Sequence, residues 1–421
     1  MNNKIAILMP GQGAQYIGMG KTLYDNFEEA RLVYQEADES LGYSLSDIIF
    51  KGDKEQLSRT ENVQPAILTT SLAFYRTYLQ RLNLVPEILA GHSLGEFSAL
   101  TAAGAITLSD AVQMVHKRGQ FMQKVSGVIG EGAMAAVSGL TVEEIENFCN
   151  EFQSNGKDIV ISNYNTREQT VISGLKKDID EAGKELRAKG AIVIPLRNSV
   201  PFHSPYMKSA AEAFYEELSN YTFHEMKHKV ICGVTGLPYQ KGDSLRDLLT
   251  EQITAPIQWT KAVDYMLDQE EIPYFLEMGP GSVLGSMINR LNKPSVLVKC
   301  IDVPEDQDHF LDEINEKKLF NKVFFIGRIL GIAVSTQNRN FNSDAYQKGV
   351  VLPYKEIRRI YDKYEAGNEE PTVEELSKCI QLLEMIFDNK ETPQSEREMR
   401  YKQLENDTLI KVSRERQVQV I

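Results

Sequence analysis

The chain lacks any run approaching the roughly 20 apolar residues that a membrane-spanning helix needs. Its most apolar late segment, Val323–Val334, is broken by Arg328 and reads as a core element. A secretory leader is not expected either. After Met1-Asn2-Asn3-Lys4 the apolar run over 5–10 is short and stops at a Pro10-Gly11 turn. Cysteine is sparse: Cys149, Cys232, Cys300 and Cys379 lie far apart with no CxxC pair. That argues against a disulfide framework and against a zinc knuckle, and predicts reduced, buried thiols in a cytoplasmic protein. A basic excess is missing too. The net charge of −13 argues against a general binder of nucleic acid or anionic membranes. Ordinary apolar (42%) and charged (25%) fractions rule out a wholly disordered, collagen-like or coiled-coil chain. There is no fixed-period repeat and no low-complexity tract. The 421 residues suffice for two to four domains.

What is present alternates. A short buried strand at Ile5–Met9 is followed by the loop Pro10-Gly11-Gln12-Gly13-Ala14-Gln15, then by helical spacing over Val63–Leu82. An apolar run, Leu84–Ala90, ends at Gly91, and helical spacing resumes after Ser93. A second helix is predicted from an N-cap at Ser109 to about Val125. Strand, tight turn and helix in repetition indicate an α/β domain with a parallel sheet. From about Gly132 the rhythm becomes β-α-β-β-α-β. Strands are predicted at Ala133–Val137, Asp158–Ser162, Thr170–Ser173 and Ala191–Leu196, and helices at Thr141–Phe152 and Lys176–Lys189. That order is ferredoxin-like. Strands at Lys229–Val234, Tyr274–Met278 and Ser295–Cys300 return to the first rhythm, so the small subdomain reads as an insertion. The predicted domains are therefore 1–130 with 198–304, 131–197, and a mainly helical extension over 305–421. In the extension, Val373–Asn389 is amphipathic through Leu376, Cys379, Ile380, Leu383 and Ile386 or Phe387, and Ser395–Asn406 is highly charged.

Gly91-His92-Ser93-Leu94-Gly95 is a G-x-S-x-G turn with a strand before it and a helix after it. Such a turn exposes a serine hydroxyl beside a helix N-terminus, which marks Ser93 as a nucleophile. Any serine in a glycine-rich strand-to-helix turn would also match the letters. A serine needs a base, and the chain has only six histidines. His92 lies inside the turn, His116 in the next helix, and His224, His228 and His309 in charged stretches. His203 sits in the proline-flanked loop Ser199-Val200-Pro201-Phe202-His203-Ser204-Pro205, which suits a base at a domain junction as well as a packed loop histidine. The loop over 10–15 has neither G-x-G-x-x-G nor GK[ST], so a nucleotide cradle is a weak reading. It is better placed to lend an oxyanion a backbone N–H. Arg118 could hold a carboxylate bidentately, although alone it reads as a surface arginine.

Together these segments resemble the malonyl-CoA:acyl carrier protein transacylase family, which includes the acyltransferase domains of fatty acid and polyketide synthases. The matching motifs are 10–15, Asn62-Val63-Gln64-Pro65-Ala66, 91–96, Lys117-Arg118-Gly119, Val171-Ile172-Ser173-Gly174, 201–204, Val234-Thr235-Gly236, Pro256-Ile257-Gln258-Trp259 and Glu277-Met278-Gly279-Pro280-Gly281. They stand in the family's order and cover about residues 1–300. The resemblance implies an α/β-hydrolase-like large domain with a ferredoxin-like insertion. It implies Ser93 as nucleophile, His203 as base, and the amides of Gln12 and Leu94 as the oxyanion hole. The Gln258 carbonyl would orient the imidazole, Arg118 would bind the substrate carboxylate, and Phe202 would favour malonyl over a 2-methyl group. Two departures touch the edge of the implied cleft: Arg167-Glu168 where a small residue and proline are usual, and Gly233 where Asn is common.

The implied reaction is ping-pong transfer from malonyl-CoA, through a malonyl-serine ester, to the phosphopantetheine thiol of an acyl carrier protein or a polyketide synthase carrier domain. It needs no metal and no cofactor. Free-standing transferases of fatty acid synthesis usually stop near residue 310, so the extension favours polyketide supply. The alternatives are a transferase of fatty acid synthesis and an editing thioester hydrolase, which Arg118 disfavours. A lipase or esterase is disfavoured by the missing HGGG-type loop. A synthase-docking role is open to the extension alone.

Overall fold

The computed structural model describes residues 4–82, 84–129, 131–196, 200–317, 320–365, 369–412 and 418–419. The chain forms two units, Met1–Tyr75 with Val85–Gln307, and Arg76–Leu84 with Asp308–Ile421.

Nine strands are described in the first unit: β1 (Ile5–Met9), β2 (Ile88–Gly91), β3 (Gly132–Ser138), β4 (Ile159–Thr166), β5 (Gln169–Leu175), β6 (Ile192–Pro195), β7 (Lys229–Val230), β8 (Tyr274–Glu277) and β9 (Leu297–Cys300). Five make a parallel sheet in the order β7-β2-β1-β8-β9. Its inner strands are nearly unbroken apolar runs because helices cover both faces of a parallel sheet. Ala6, Leu8, Ile88, Ala90 and Phe275 pack on one side with Trp259, Val263 and Met266 of the helix Trp259–Asp268. The loops bearing Gln12 and Ser93 leave β1 and β2 at their carboxyl ends, where open α/β sheets carry ligands.

The other four strands form an antiparallel sheet in the order β4-β5-β3-β6. The helices Val142–Ser154 and Lys176–Ala188 cover one face through Ile145, Phe148, Phe152, Ile179 and Leu186. The first of them opens on a capping box between Thr141 and Glu144. A parallel bridge joins this sheet to the segment before Trp259: Tyr164 N donates to Ile257 O at 2.9 Å, and Ile257 N to Ser162 O at 2.9 Å. The mixed α/β architecture with a parallel sheet is therefore as the sequence implies.

Local expectations differ at two points. The strand predicted to run to Val234 stops at Val230, because Gly236 N donates back to Cys232 O at 2.8 Å and turns the chain. The helix predicted to be capped by Ser109 is Leu108–Ile129, and Thr107 Oγ1 accepts from Asp110 N at 3.1 Å. Ser109 Oγ instead lies 2.9 Å from Ser40 Oγ.

The second unit is mainly helical, with helices at Lys322–Ser335, Leu352–Glu365, Val373–Asn389 and Gln394–Thr408. The apolar face read in Val373–Asn389 is fully buried. Arg76–Leu84, expected in the large domain, belongs here. Asn321 N donates to Arg81 O at 2.8 Å, and Leu82 pairs with Phe320. Among the described residues no helix is long and apolar enough to cross a membrane.

Candidate active site

The turn after β2 is held by close backbone approach. A Cβ at Gly91 would fall 1.9 Å from the carbonyl carbon of Gly95, and one at Gly95 would fall 2.0 Å from Met9 O. Neither position accepts a side chain, which accounts for both glycines of the motif. Ser93 is left at φ 51°, ψ −102°, immediately before the helix Leu94–Ala102. A non-glycine residue held there is strained by about 1–3 kcal/mol, so surrounding contacts must enforce it. His203 also has a positive φ, 54°.

These two strained residues meet. Ser93 Oγ lies 2.8 Å from His203 Nε2, and His203 Nδ1 lies 2.7 Å from the main-chain oxygen of Gln252. A carbonyl only accepts, so Nδ1 carries the proton. In the neutral ring Nε2 is then the acceptor that faces the hydroxyl. The imidazole is buried. Desolvation, reinforced by the nearby Arg118 cation, pushes its pKa down to about 3, against the opposing pull of the Gln252 carbonyl. At neutral pH it is the free base.

The expected orienting carbonyl, that of Gln258, is a correction. Gln258 caps the helix Trp259–Asp268, and its carbonyl accepts from Ala262 N at 3.0 Å. Gln252 instead follows the last turn of the helix Leu245–Glu251. A carbonyl at a helix C-terminus has no donor within its own helix, which leaves that of Gln252 to the imidazole.

Arg118 is not a surface residue. It is 1% exposed, on the helix Leu108–Ile129. Nη1 donates to Gln64 Oε1 at 2.9 Å, and Nη2 donates to Gln252 Oε1 at 2.8 Å and to Ser93 Oγ at 3.3 Å. Nε is buried without a hydrogen-bond partner among the described residues. Burial lowers the guanidinium pKa to about 10, with the Glu96 carboxylate resisting, so the group remains cationic at neutral pH. Glu96 is itself buried, and desolvation raises its carboxyl to about 6. A hydroxyl, a neutral imidazole and a buried cation within hydrogen-bond reach can together perform nucleophilic acyl chemistry on a substrate bearing an anion.

The description of the family model that matches this chain is "acyl transferase domain", and the match covers residues 7–302. The chain belongs to the acyl transferase family. A Bacillus subtilis malonyl CoA-acyl carrier protein transacylase is 32% identical over 402 residues, covering 93% of this chain and 98% of the relative. A second enzyme of that name, from Bacillus subtilis strain 168, is 40% identical over 316 residues, covering 75% of this chain and 98% of its own. Among solved structures, a malonyl-transacylase in complex with a type II polyketide synthase acyl carrier protein superposes with a TM-score of 0.68 at 33% identity. That match covers 72% of this chain and 97% of the other. The protein is an acyltransferase.

Other expected positions of this acyltransferase are distributed as follows. Leu94 is buried as the first residue of its helix, so its amide has no carbonyl four residues back within that helix. Gln12 is exposed on the loop after β1. Phe202 is half-buried beside His203, with its N–H donating to Val200 O at 2.7 Å. Ser199, the first residue of that loop, lies outside the described residues. His92 Nε2 lies 3.0 Å from Asn165 Oδ1. Of the two departures, Arg167 sits between β4 and β5 in an ion pair with Asp264 at 2.9 Å, and Gly233 N donates to Glu96 Oε2 at 3.0 Å. Sequence reasoning missed Gln64, Glu96 and Gln252 as individual residues. The first two lie in motifs quoted above, so a signal existed. Gln252 ends an ordinary amphipathic helix and gave none.

Proposed function

We propose that this acyltransferase moves a malonyl group from malonyl-CoA to the phosphopantetheine thiol of an acyl carrier protein. Ser93 Oγ attacks the thioester carbonyl as His203 Nε2 takes its proton. The tetrahedral oxyanion rests on the amides of Gln12 and Leu94. The C–S bond breaks, the CoA sulfur receives the proton from His203, and a malonyl-serine ester remains. The carrier thiol then gives its proton to His203 and attacks the ester, and Ser93 leaves with the proton returned. Arg118 holds the malonyl carboxylate, and Phe202 crowds a 2-methyl substituent; such a preference is finite, about 1–3 kcal/mol. No step calls for a metal or a cofactor.

One observation carries this reading: a buried guanidinium with an unpartnered Nε lies 3.3 Å from the serine hydroxyl. A malonyl carboxylate is separated from its thioester carbonyl by a single methylene, a span suited to that separation. The pathway we favour is polyketide supply. Its support is the relative solved with a polyketide carrier. Fatty acid supply is the alternative.

Intact-mass measurement after brief mixing with malonyl-CoA tests the reading. One malonyl adduct is expected, absent in Ser93→Ala and discharged by a carrier thiol faster than by water. An adduct persisting in Ser93→Ala overturns the nucleophile, and faster discharge by water favours an editing hydrolase. Comparing discharge by polyketide and fatty acid carriers tests the pathway.

A further inference from the structure

Gln252 serves the site twice. Its main-chain oxygen accepts from His203, and its side-chain amide stands among three groups. Oε1 accepts from Arg118 Nη2 at 2.8 Å, while Nε2 donates to Ser93 O at 3.1 Å and to Glu96 Oε2. An amide has one accepting end and one donating end. Turned over, it would set N–H groups against the guanidinium and an oxygen against a carboxylate. Its orientation is therefore held by the acceptors at its Nε2 end.

Glu96 is the stronger of those acceptors, and its own position is pinned. Gly233 N donates to Oε2 at 3.0 Å and Tyr239 OH donates to Oε1. A backbone N–H cannot reverse its role, so Oε2 must remain an acceptor. The carboxylate reaches that N–H because residue 233 has no side chain: a Cβ there would lie 2.6 Å from Oε2. The chain of contacts runs from Gly233 through Glu96 and Gln252 to Arg118.

We propose that Glu96 is a positioning residue for acyl selectivity, which by fixing the Gln252 amide holds the Arg118 guanidinium in place for a carboxylated acyl group. This rests on the reading of Arg118 as the carboxylate site. A rival role for Glu96 is as a bare counter-charge to Arg118, and two substitutions separate the roles. Glu96→Gln can keep an oxygen where Oε2 stands and turn its NH2 to Tyr239, whose hydroxyl can rotate to accept. Orientation survives and charge is lost. Glu96→Met keeps the length of the side chain and removes every acceptor.

The test is kcat/KM for malonyl-CoA and for acetyl-CoA with one carrier, in the full chain and in Glu96→Gln, Glu96→Met and Arg118→Ala. Glu96→Met is expected to lower the malonyl-to-acetyl ratio by about tenfold or more, the scale of one charge-assisted hydrogen bond, mainly through KM for malonyl-CoA. Glu96→Gln is expected to stay within about threefold of the parent, since the acceptor is kept. If Arg118→Ala leaves the ratio unchanged, the carboxylate-site reading has failed and the proposal falls with it. If Arg118→Ala collapses the ratio, the proposal alone is overturned by either of two results: an unchanged or raised ratio in Glu96→Met, or an equal loss in Glu96→Gln. Should Glu96→Met not fold, Gln252→Met removes the amide but keeps the carbonyl used by His203. It must lower the ratio likewise, and an unchanged ratio there overturns the proposal.

Discussion

Lys390 of the helical unit and Arg118 of the catalytic unit are both buried cations, and the two are held in opposite ways. In the helical unit, Lys390 Nζ donates to Ala333 O at 2.8 Å and Thr336 O at 2.7 Å, the carbonyls at the end of the helix Lys322–Ser335. Burial lowers its pKa, and fixed main-chain oxygens supply the donors' partners. In the catalytic unit, Arg118 is held by the side-chain amides of Gln64 and Gln252, and its Nε has no hydrogen-bond partner among the described residues. Main-chain carbonyls at a helix end make a buried cation part of the fold. Side-chain amides hold one in place while leaving it able to meet an anion. The same burial thus serves stability in one unit and, in the proposed function, recognition in the other.

The largest effect belongs to His203, the proposed base between Arg118 and Gln252. His203→Ala should slow malonyl transfer by at least about a hundredfold, the usual scale for a general base. A rate within a few fold of the parent would remove His203 from the chemistry. Next comes the cation itself. Arg118→Ala should cut kcat/KM for malonyl-CoA by roughly ten- to a hundredfold while acetyl transfer holds or rises, as expected for a lost charge-assisted pair. An equal loss for both acyl groups would make Arg118 as structural as Lys390.

Lys390→Met sharpens the other side. It leaves two buried carbonyls without their donor and should cost about 1–3 kcal/mol of stability in denaturant unfolding. Malonyl loading by the folded variant should match the parent, and a lost adduct would end the contrast. The smallest expected effect is an absence of change with pH. Because the His203 pKa is pushed down to about 3, acetyl transfer, which does not use the carboxylate site, should stay nearly flat from pH 8 to about pH 5. An acid limb centred near 6.5 would mean a solvated imidazole. The stability linkage has the matching sign. The unfolded chain binds this proton below about 6.5 and the folded one does not, so the contribution is complete above that pH and fades as pH falls toward 3.

Much of this was legible in order along the chain. The turn at Ser93, the β-α-β-β-α-β insertion, the Thr141 cap and the buried stripe of Val373–Asn389 are set by glycine geometry, capping chemistry and periodicity within a few residues. Such signals act over one or two turns, so a sequence carries them whole. The motif order also pointed to His203 and Arg118 as partners of Ser93. What sequence could not decide is which main-chain oxygen reaches the imidazole. Gln258 and Gln252 both lie near helix ends, but one carbonyl accepts from its own helix and the other does not. It could not decide that Arg118 is buried rather than exposed, that Glu96 braces Gln252, or that Arg76–Leu84 packs with Asn321 and Phe320. Each depends on groups tens to hundreds of residues apart meeting at hydrogen-bond distance. Only the packing of the sheets and helices fixes such distances, and no local pattern encodes them.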